Sequence, residues 1–459
     1  PLWTPAATGD PDRALLAVVR LVENLRAGES AGTVSDGAGA EELLGALQED
    51  VVFRVRLLAL LGASSLLGDH VVATPDIWPE LRGGMPDRDE VMSTMLTAVG
   101  AEAVHGGDSL LYRASVTGTA ADRAMRTAYR TLLARIAAID LAGTFVPWSS
   151  THDVVRSPEP GPCDFVTVTA CLSDAADAAL TAALAVAVAV VYPEGPVDAR
   201  LSVLAMGKCG ARELNYISDV DVIFVAEPAD ASTTRLAGEF INIGCRNFFE
   251  VDAALRPEGR HGALVRTLES HLAYYRRWAS TWEFQALLKA RPMTGDLDLG
   301  ESYVAELAPL VWSAAEREDF VPDVQAMRRR VIENVPDDIQ HLELKLGPGG
   351  LRDVEFAVQL LQMVHGRTDE SLRIRSTVGA LDALVAGGYV GREDGQTLIS
   401  CYSFMRLLEH RMQLRQLRRT HTLPPEDDVA ARTWLARTAG IRAGGSLSVA
   451  AELSAEVRR

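Results

Sequence analysis

The sequence predicts a predominantly helical α+β protein in which a small mixed sheet is embedded between helical segments. Three observations carry this reading. Apolar residues recur at i, i+3, i+4 and i+7 over most of the chain, the spacing of a helix face. Between Ala199 and about Pro257 the period shortens to that of strands, with β-branched runs separated by glycine-containing and polar turns. At 459 residues the chain is too long for one hydrophobic core, so three regions are expected: helical over 1–115, a mixed core over 116–310, and a helical bundle over 311–459.

In order, residues 12–111 hold the helical period, with the Gly/Ser-rich stretch 27–39 as a loop. Residues 120–141 predict a helix, 144–162 a loop, and 174–191 another helix. LSVLAM (201–206) reads as a strand, 207–217 as a glycine-containing connection, VDVIFVA (220–226) as a strand and 233–249 as a helix. EVDAAL (250–255) and residues 263–268 predict two further strands. Helices then return: a basic amphipathic stretch over 323–334, and a turn at 347–350 opening a helix over 351–365. Further helices follow to the end, broken at Gly387–Gly388, Pro424–Pro425 and Gly444–Gly445.

Composition excludes several classes. With 48% apolar and 23% charged residues the chain has ample core, and its net charge of −17 would repel a phosphate backbone, so nucleic-acid binding is not expected. The five cysteines, Cys163, Cys171, Cys209, Cys245 and Cys401, show neither CxxC spacing nor a histidine-rich partner, so neither a disulfide framework nor a zinc site is suggested and a reducing cytoplasm fits. The apolar run 178–191 falls short of the roughly 20 residues that span a bilayer and predicts a buried helix. No secretory leader is expected, and a start at Pro1 reads as a processed or excised product. Of 45 basic residues only Lys208, Lys289 and Lys345 are lysines, positions where a compact ammonium is expected to be required.

Asp219 and Asp221 lie two apart at the head of a strand, so both project from one face. Paired carboxylates repel unless protonated or neutralised, and hard oxygen donors favour Mg²⁺ or Mn²⁺. Upstream, Gly207-Lys208-Cys209-Gly210 forms a turn whose glycines let backbone amides approach a phosphate and whose lysine meets its charge. The spacing is not that of a Walker A loop. Ser218 abuts the pair, and Asp252 completes a three-carboxylate set if its strand lies beside the first.

The string GKCGARELNYISDVDVIFV is similar to the signature of DNA polymerase β-type nucleotidyltransferases as used in the glutamine synthetase adenylyltransferase family, whose members attach and remove AMP on glutamine synthetase. VDAALRPEGRHGALV, WEFQALLKARPMTGD, LELKLGPGGLRDVEFAVQLLQMVHG and LRIRSTVGALDAL resemble further family motifs in order, densely over 201–384, and all three lysines fall within the five. The resemblance implies that 116–310 is the nucleotidyltransferase core, and that this single copy corresponds to one half of a two-headed enzyme, its wording closer to the AMP-removing N-terminal half.

The implied reaction is attack of phosphate on adenylyl-tyrosine of glutamine synthetase, giving ADP and free enzyme. The runner-up is transfer of AMP from ATP to that tyrosine, and a third reading is a non-catalytic module binding a PII-type protein. Control by PII is implied in any case. Asp219, Asp221 and Asp252 would hold metal, with Glu283 a further acidic candidate. Gly207, Lys208, Gly210, Ser218, Arg256, Lys289, Arg291, Arg352 and Glu355 are the candidates for binding phosphate or nucleotide. Arg352 and Glu355, three apart on one helix, also read as a plain ion pair. The sequence departs from the family pattern in Lys208-Cys209-Gly210-Ala211, where many relatives read KxGG, and at Ala254, which replaces an arginine. The basic run Arg406–Arg419 reads as a solvated helix face.

Overall fold

The computed structural model describes residues 8–104, 109–144, 164–197, 200–333, 335–441 and 448–458. Cys163, nearly all of the loop expected over 144–162, and the break expected at Gly444–Gly445 lie outside these residues. The chain forms two compact units drawn from interleaved segments: residues 1–87, 130–171 and 406–459, and residues 88–129 and 172–405.

The first unit is helical. Its leading helix, Pro11–Ala31, starts where Asp10 accepts from the Arg13 amide at 3.0 Å and Pro11 presets φ, and stops at Gly32, whose φ of +68° a residue with a Cβ rarely adopts. Helices Ala40–Glu49, Val51–Ala63 and Ser65–Ala73 follow. The basic run behaves as a solvated face only at its end, where Arg415, Arg418 and Arg419 are exposed; Arg406, Glu409, Arg411 and Gln413 before it are wholly buried. Composition could not reveal this, because each charge is masked by a partner. Arg411 forks onto Asp140 at 2.6 and 2.7 Å, Glu409 accepts from His421 at 2.8 Å, and the Arg406 guanidinium stacks on Phe165.

In the second unit β1 (Ala101–Ala103) and β3 (Tyr112–Ala114) form a separate hairpin, and the sheet is built from β2 (Ser109–Leu110), β4 (Arg200–Ala205), β5 (Val220–Glu227), β6 (Val251–Asp252), β7 (Val265–Arg266) and β8 (Arg291–Asp296). Their order is β2-β8-β4-β5-β6, with the short β7 also paired to β5. The four strands expected after residue 199 are all present, though two are only two residues long. β8 and the hairpin were not foreseen. Pro292 and Gly295 argue against a strand, yet β8 pairs with β4 through a register shift at Val203/Leu204 that accommodates Pro292 opposite Leu204.

Alternation along β5 explains the layers. Ile223 and Val225 face one core with Leu272, Phe284 and Leu307, while Phe224 packs edge-on against Phe240 of helix Ala231–Asn247 on the other side. Helix Phe165–Val191 is apolar enough to cross a membrane by length and composition, but 83% of its most apolar window is buried inside the protein.

Candidate active site

β5 and β6 run parallel, with Val220 opposite Val251 and Asp221 opposite Asp252, so the third carboxylate stands beside the Asp219/Asp221 pair. β6 ends at once, because Asp252 Oδ1 turns back to accept from the Ala254 amide at 2.8 Å. Its other oxygen lies 3.5 Å from exposed Arg260. The Ser218 hydroxyl donates to Asp219 at 3.3 Å. Burial first, then the charges of Asp219 and Asp252, push the Asp221 carboxyl up to about 6, while Lys345 and Arg352 pull it the other way.

Gly207 and Gly210 open and close a single helical turn after β4. Gly207 has φ +53°, and a Cβ there would stand 2.6 Å from Asp221 Oδ2; a Cβ on Gly210 would stand 2.0 Å from the Lys289 carbonyl oxygen. Glycine is thus required by the close approach of this turn to the carboxylate on one side and to the start of β8 on the other. The Lys208 carbonyl accepts from the Glu213 amide at 2.8 Å, which closes the turn.

Lys289, Arg291, Arg256 and Glu283 make their close contacts elsewhere. Lys289 is buried, its ammonium 3.4 Å from Glu213 and 3.3 Å from the Thr377 hydroxyl, while Glu213 also accepts from the Thr377 amide at 2.7 Å. This junction ties together the GARELN, LLKAR and RIRST motifs and leaves no ammonium for a phosphate. Arg291 forks onto Asp177 at 2.7 and 2.9 Å and reaches the Cys209 carbonyl at 3.0 Å, bracing the glycine turn from behind. Arg256 is spent on the carbonyls of Ala253, Arg260 and Gly262. Glu283 is buried in a capping box, accepting from the Ser280 amide at 2.7 Å and the Tyr274 hydroxyl at 3.0 Å, so helix initiation accounts for it. Arg352 and Glu355 form an i,i+3 pair at 3.4 Å, and Glu355 is buried.

Arg260 lies beside Asp252, whose charge also acts on Arg256, and the charges of Lys345 and Arg352 act on Asp221. Sequence reasoning singled out Lys345 only for its rarity and missed Arg260, although both sit inside family-like motifs. Backbone bonds Leu351 N to Leu344 O and Arg352 N to Lys345 O, at 2.8 and 3.0 Å, hold Lys345 and Arg352 side by side across the glycine turn.

Among the described residues no three His, Cys, Asp or Glu side chains converge tightly enough to enclose a metal ion as they stand. The donor chemistry nevertheless fits a hard divalent cation: Asp219 directly before β5, Asp221 on it and Asp252 on the neighbouring β6, with the Asp221 carboxyl raised by burial and by the other two.

Comparison with known proteins agrees with this core. The family model described as glutamate-ammonia ligase adenylyltransferase matches residues 160–305, and that described as GlnD PII-uridylyltransferase matches residues 325–459. Proteins named bifunctional glutamine synthetase adenylyltransferase/adenylyl-removing enzyme are similar along the whole chain: 56% identical in Corynebacterium efficiens, 54% in Nocardia farcinica and 53% in Mycobacterium tuberculosis. All of this chain aligns with each, but it spans only 44%, 44% and 43% of their lengths. The chain belongs to the family of bifunctional glutamine synthetase adenylyltransferase/adenylyl-removing enzymes.

Proposed function

We propose that this chain is the AMP-removing half of such an enzyme and phosphorolyses adenylyl-tyrosine on glutamine synthetase. The observation that carries the chemistry is the parallel register placing Asp252 beside Asp221, below a glycine turn that packs on the same carboxylate. The direction rests on the wording SDVDVIF and LGPGGLRDVEF, closer to the AMP-removing half.

In the proposed reaction a phosphate oxygen bonds to the α-phosphorus of AMP, the bond from that phosphorus to the tyrosine oxygen breaks, and the phenolate takes a proton, leaving ADP. Asp219, Asp221 and Asp252 would hold Mg²⁺ or Mn²⁺, which when bound supplies charge stabilisation to the attacking and leaving oxygens. Arg260, Lys345 and Arg352 bring positive charge to the same carboxylates and offset the repulsion between two anionic reactants. Lys289 and Arg291 orient the glycine turn from behind. The match over 325–459 to a PII-uridylyltransferase model supports a PII-type protein as regulatory partner.

The test offers the chain Mg²⁺ with adenylylated synthetase and phosphate, and separately unmodified synthetase with ATP. Loss of AMP from the first, without incorporation in the second, is expected. Incorporation alone would reverse the direction, and inactivity of both with PII binding intact would favour the non-catalytic reading.

A further inference from the structure

The LRIRST motif contributes Thr377 to the junction described above, yet its two arginines serve neither the carboxylates nor the glycine turn. They stand at a separate cavity of about 220 Å³, whose walls include Leu288, Leu307, Val311 and Trp312 and whose polar lining includes Arg373 and Arg375. Arg373 is fixed: it donates to the Gly366 carbonyl at 2.9 Å, pairs with Glu370 at 2.8 Å and lies over the Trp312 ring, 5.1 Å from its centroid. Arg375 is exposed, and among the described residues it is anchored through Nε alone, which donates to the Ala290 carbonyl at 2.9 Å. Glu301 acts on it only from beyond ion-pair distance, so its terminal nitrogens stand open to a solute at the cavity.

We propose that this cavity binds a small carboxylic acid with a branched apolar tail, the tail against Leu288, Leu307 and Val311 and the carboxylate on the open fork of Arg375. Size and chemistry select that class. An apolar cavity of about 150 Å³ already holds benzene, whereas sites for drug-sized ligands start near 300 Å³, so a nucleotide is too large and a five- or six-carbon tail fits. A planar fork matches a carboxylate bidentately. The position also has a consequence: Leu288 and Ala290 line the cavity on either side of Lys289, whose carbonyl backs Gly210 of the catalytic turn. Occupancy therefore stiffens the strand end on which that turn rests.

Calorimetric titration of the full chain with 4-methylpentanoate, 4-methylpentan-1-ol and acetate tests this. The acid is expected to bind at least tenfold more tightly than the alcohol, which lacks the charge, and than acetate, which lacks the tail. Arg375→Ala is expected to weaken the acid about tenfold and leave the alcohol unchanged. Ala308→Leu, which fills the cavity from its wall, is expected to abolish binding of both while far-ultraviolet circular dichroism stays that of the parent chain. Absence of acid binding at millimolar concentration would overturn the proposal, as would equal binding of acid and alcohol, or binding untouched by Ala308→Leu in a folded variant.

Discussion

Asp221 shows how burial and like charge act together on a single residue. Burial and its two carboxylate neighbours disfavour its charge, so folding stores a repulsion that a divalent cation would relieve. Asp221→Asn is therefore expected to lower turnover by about 10³-fold while raising the metal-free unfolding free energy by about 0.5–1 kcal/mol. Assay and thermal melt of one preparation check both, and a variant that is both inactive and less stable would contradict the repulsion. Gly207→Ala should behave differently. A Cβ at φ +53° costs about 1–2 kcal/mol and stands 2.6 Å from the Asp221 oxygen, so activity is expected to fall 10–100-fold through displacement of the carboxylate. The carboxylates were legible in the sequence because strand periodicity alone puts i and i+2 on one face. The fates of Lys289, Arg291 and Glu283 were not, since a buried cation paired with Glu213 or Asp177 and a glutamate capping its own helix carry the same letters as a phosphate-gripping site.

At the scale of elements, the junction of Glu213, Lys289 and Thr377 joins the loop after the glycine turn, the entry to β8 and helix Thr377–Ala386. Lys289→Met strands a buried carboxylate and should cost about 3–5 kcal/mol, whereas adding Glu213→Gln should restore part of that loss. Urea titrations of the single and double variants measure it, and additive losses would show that the two groups act separately. The same elements show what periodicity can reveal. β4, β5 and the helix after them follow from their short apolar and β-branched runs and the helical spacing that succeeds them, while the Asp230/Thr233 capping box fixes where that helix starts. β8 does not, because its place in the sheet is set by the bulge opposite β4 and by tertiary pairing, which override the local signals of Pro292 and Gly295. The burial of the first half of the Arg406–Arg419 run was hidden for a similar reason, since its partners Asp140 and His421 lie 271 and 12 residues away from the groups they meet.

For the whole molecule, three buried histidines predict the acid limit of stability. Burial, the largest cause in each, holds His70 and His271 down to about 4 and His410 to about 3, with Arg130 adding to the first and Arg406 to the last. Below pH 6.5 the unfolded chain binds protons that the folded chain refuses, so stability is full above that pH and is lost as pH falls toward 4. The loss is about 1 kcal/mol at pH 5.5 for each of His271 and His410, partly offset by Asp221, whose raised pKa acts in the opposite sense. Melting temperatures from pH 7.5 to 5 should fall, and a rise would contradict the burial of these rings. Function at this scale rests on the identity of the nucleotide released. Adenylylated glutamine synthetase, the chain and Mg²⁺ are incubated with and without inorganic phosphate, and the products are separated by chromatography. ADP appearing only with phosphate is the predicted result; AMP released regardless of phosphate would contradict phosphorolysis.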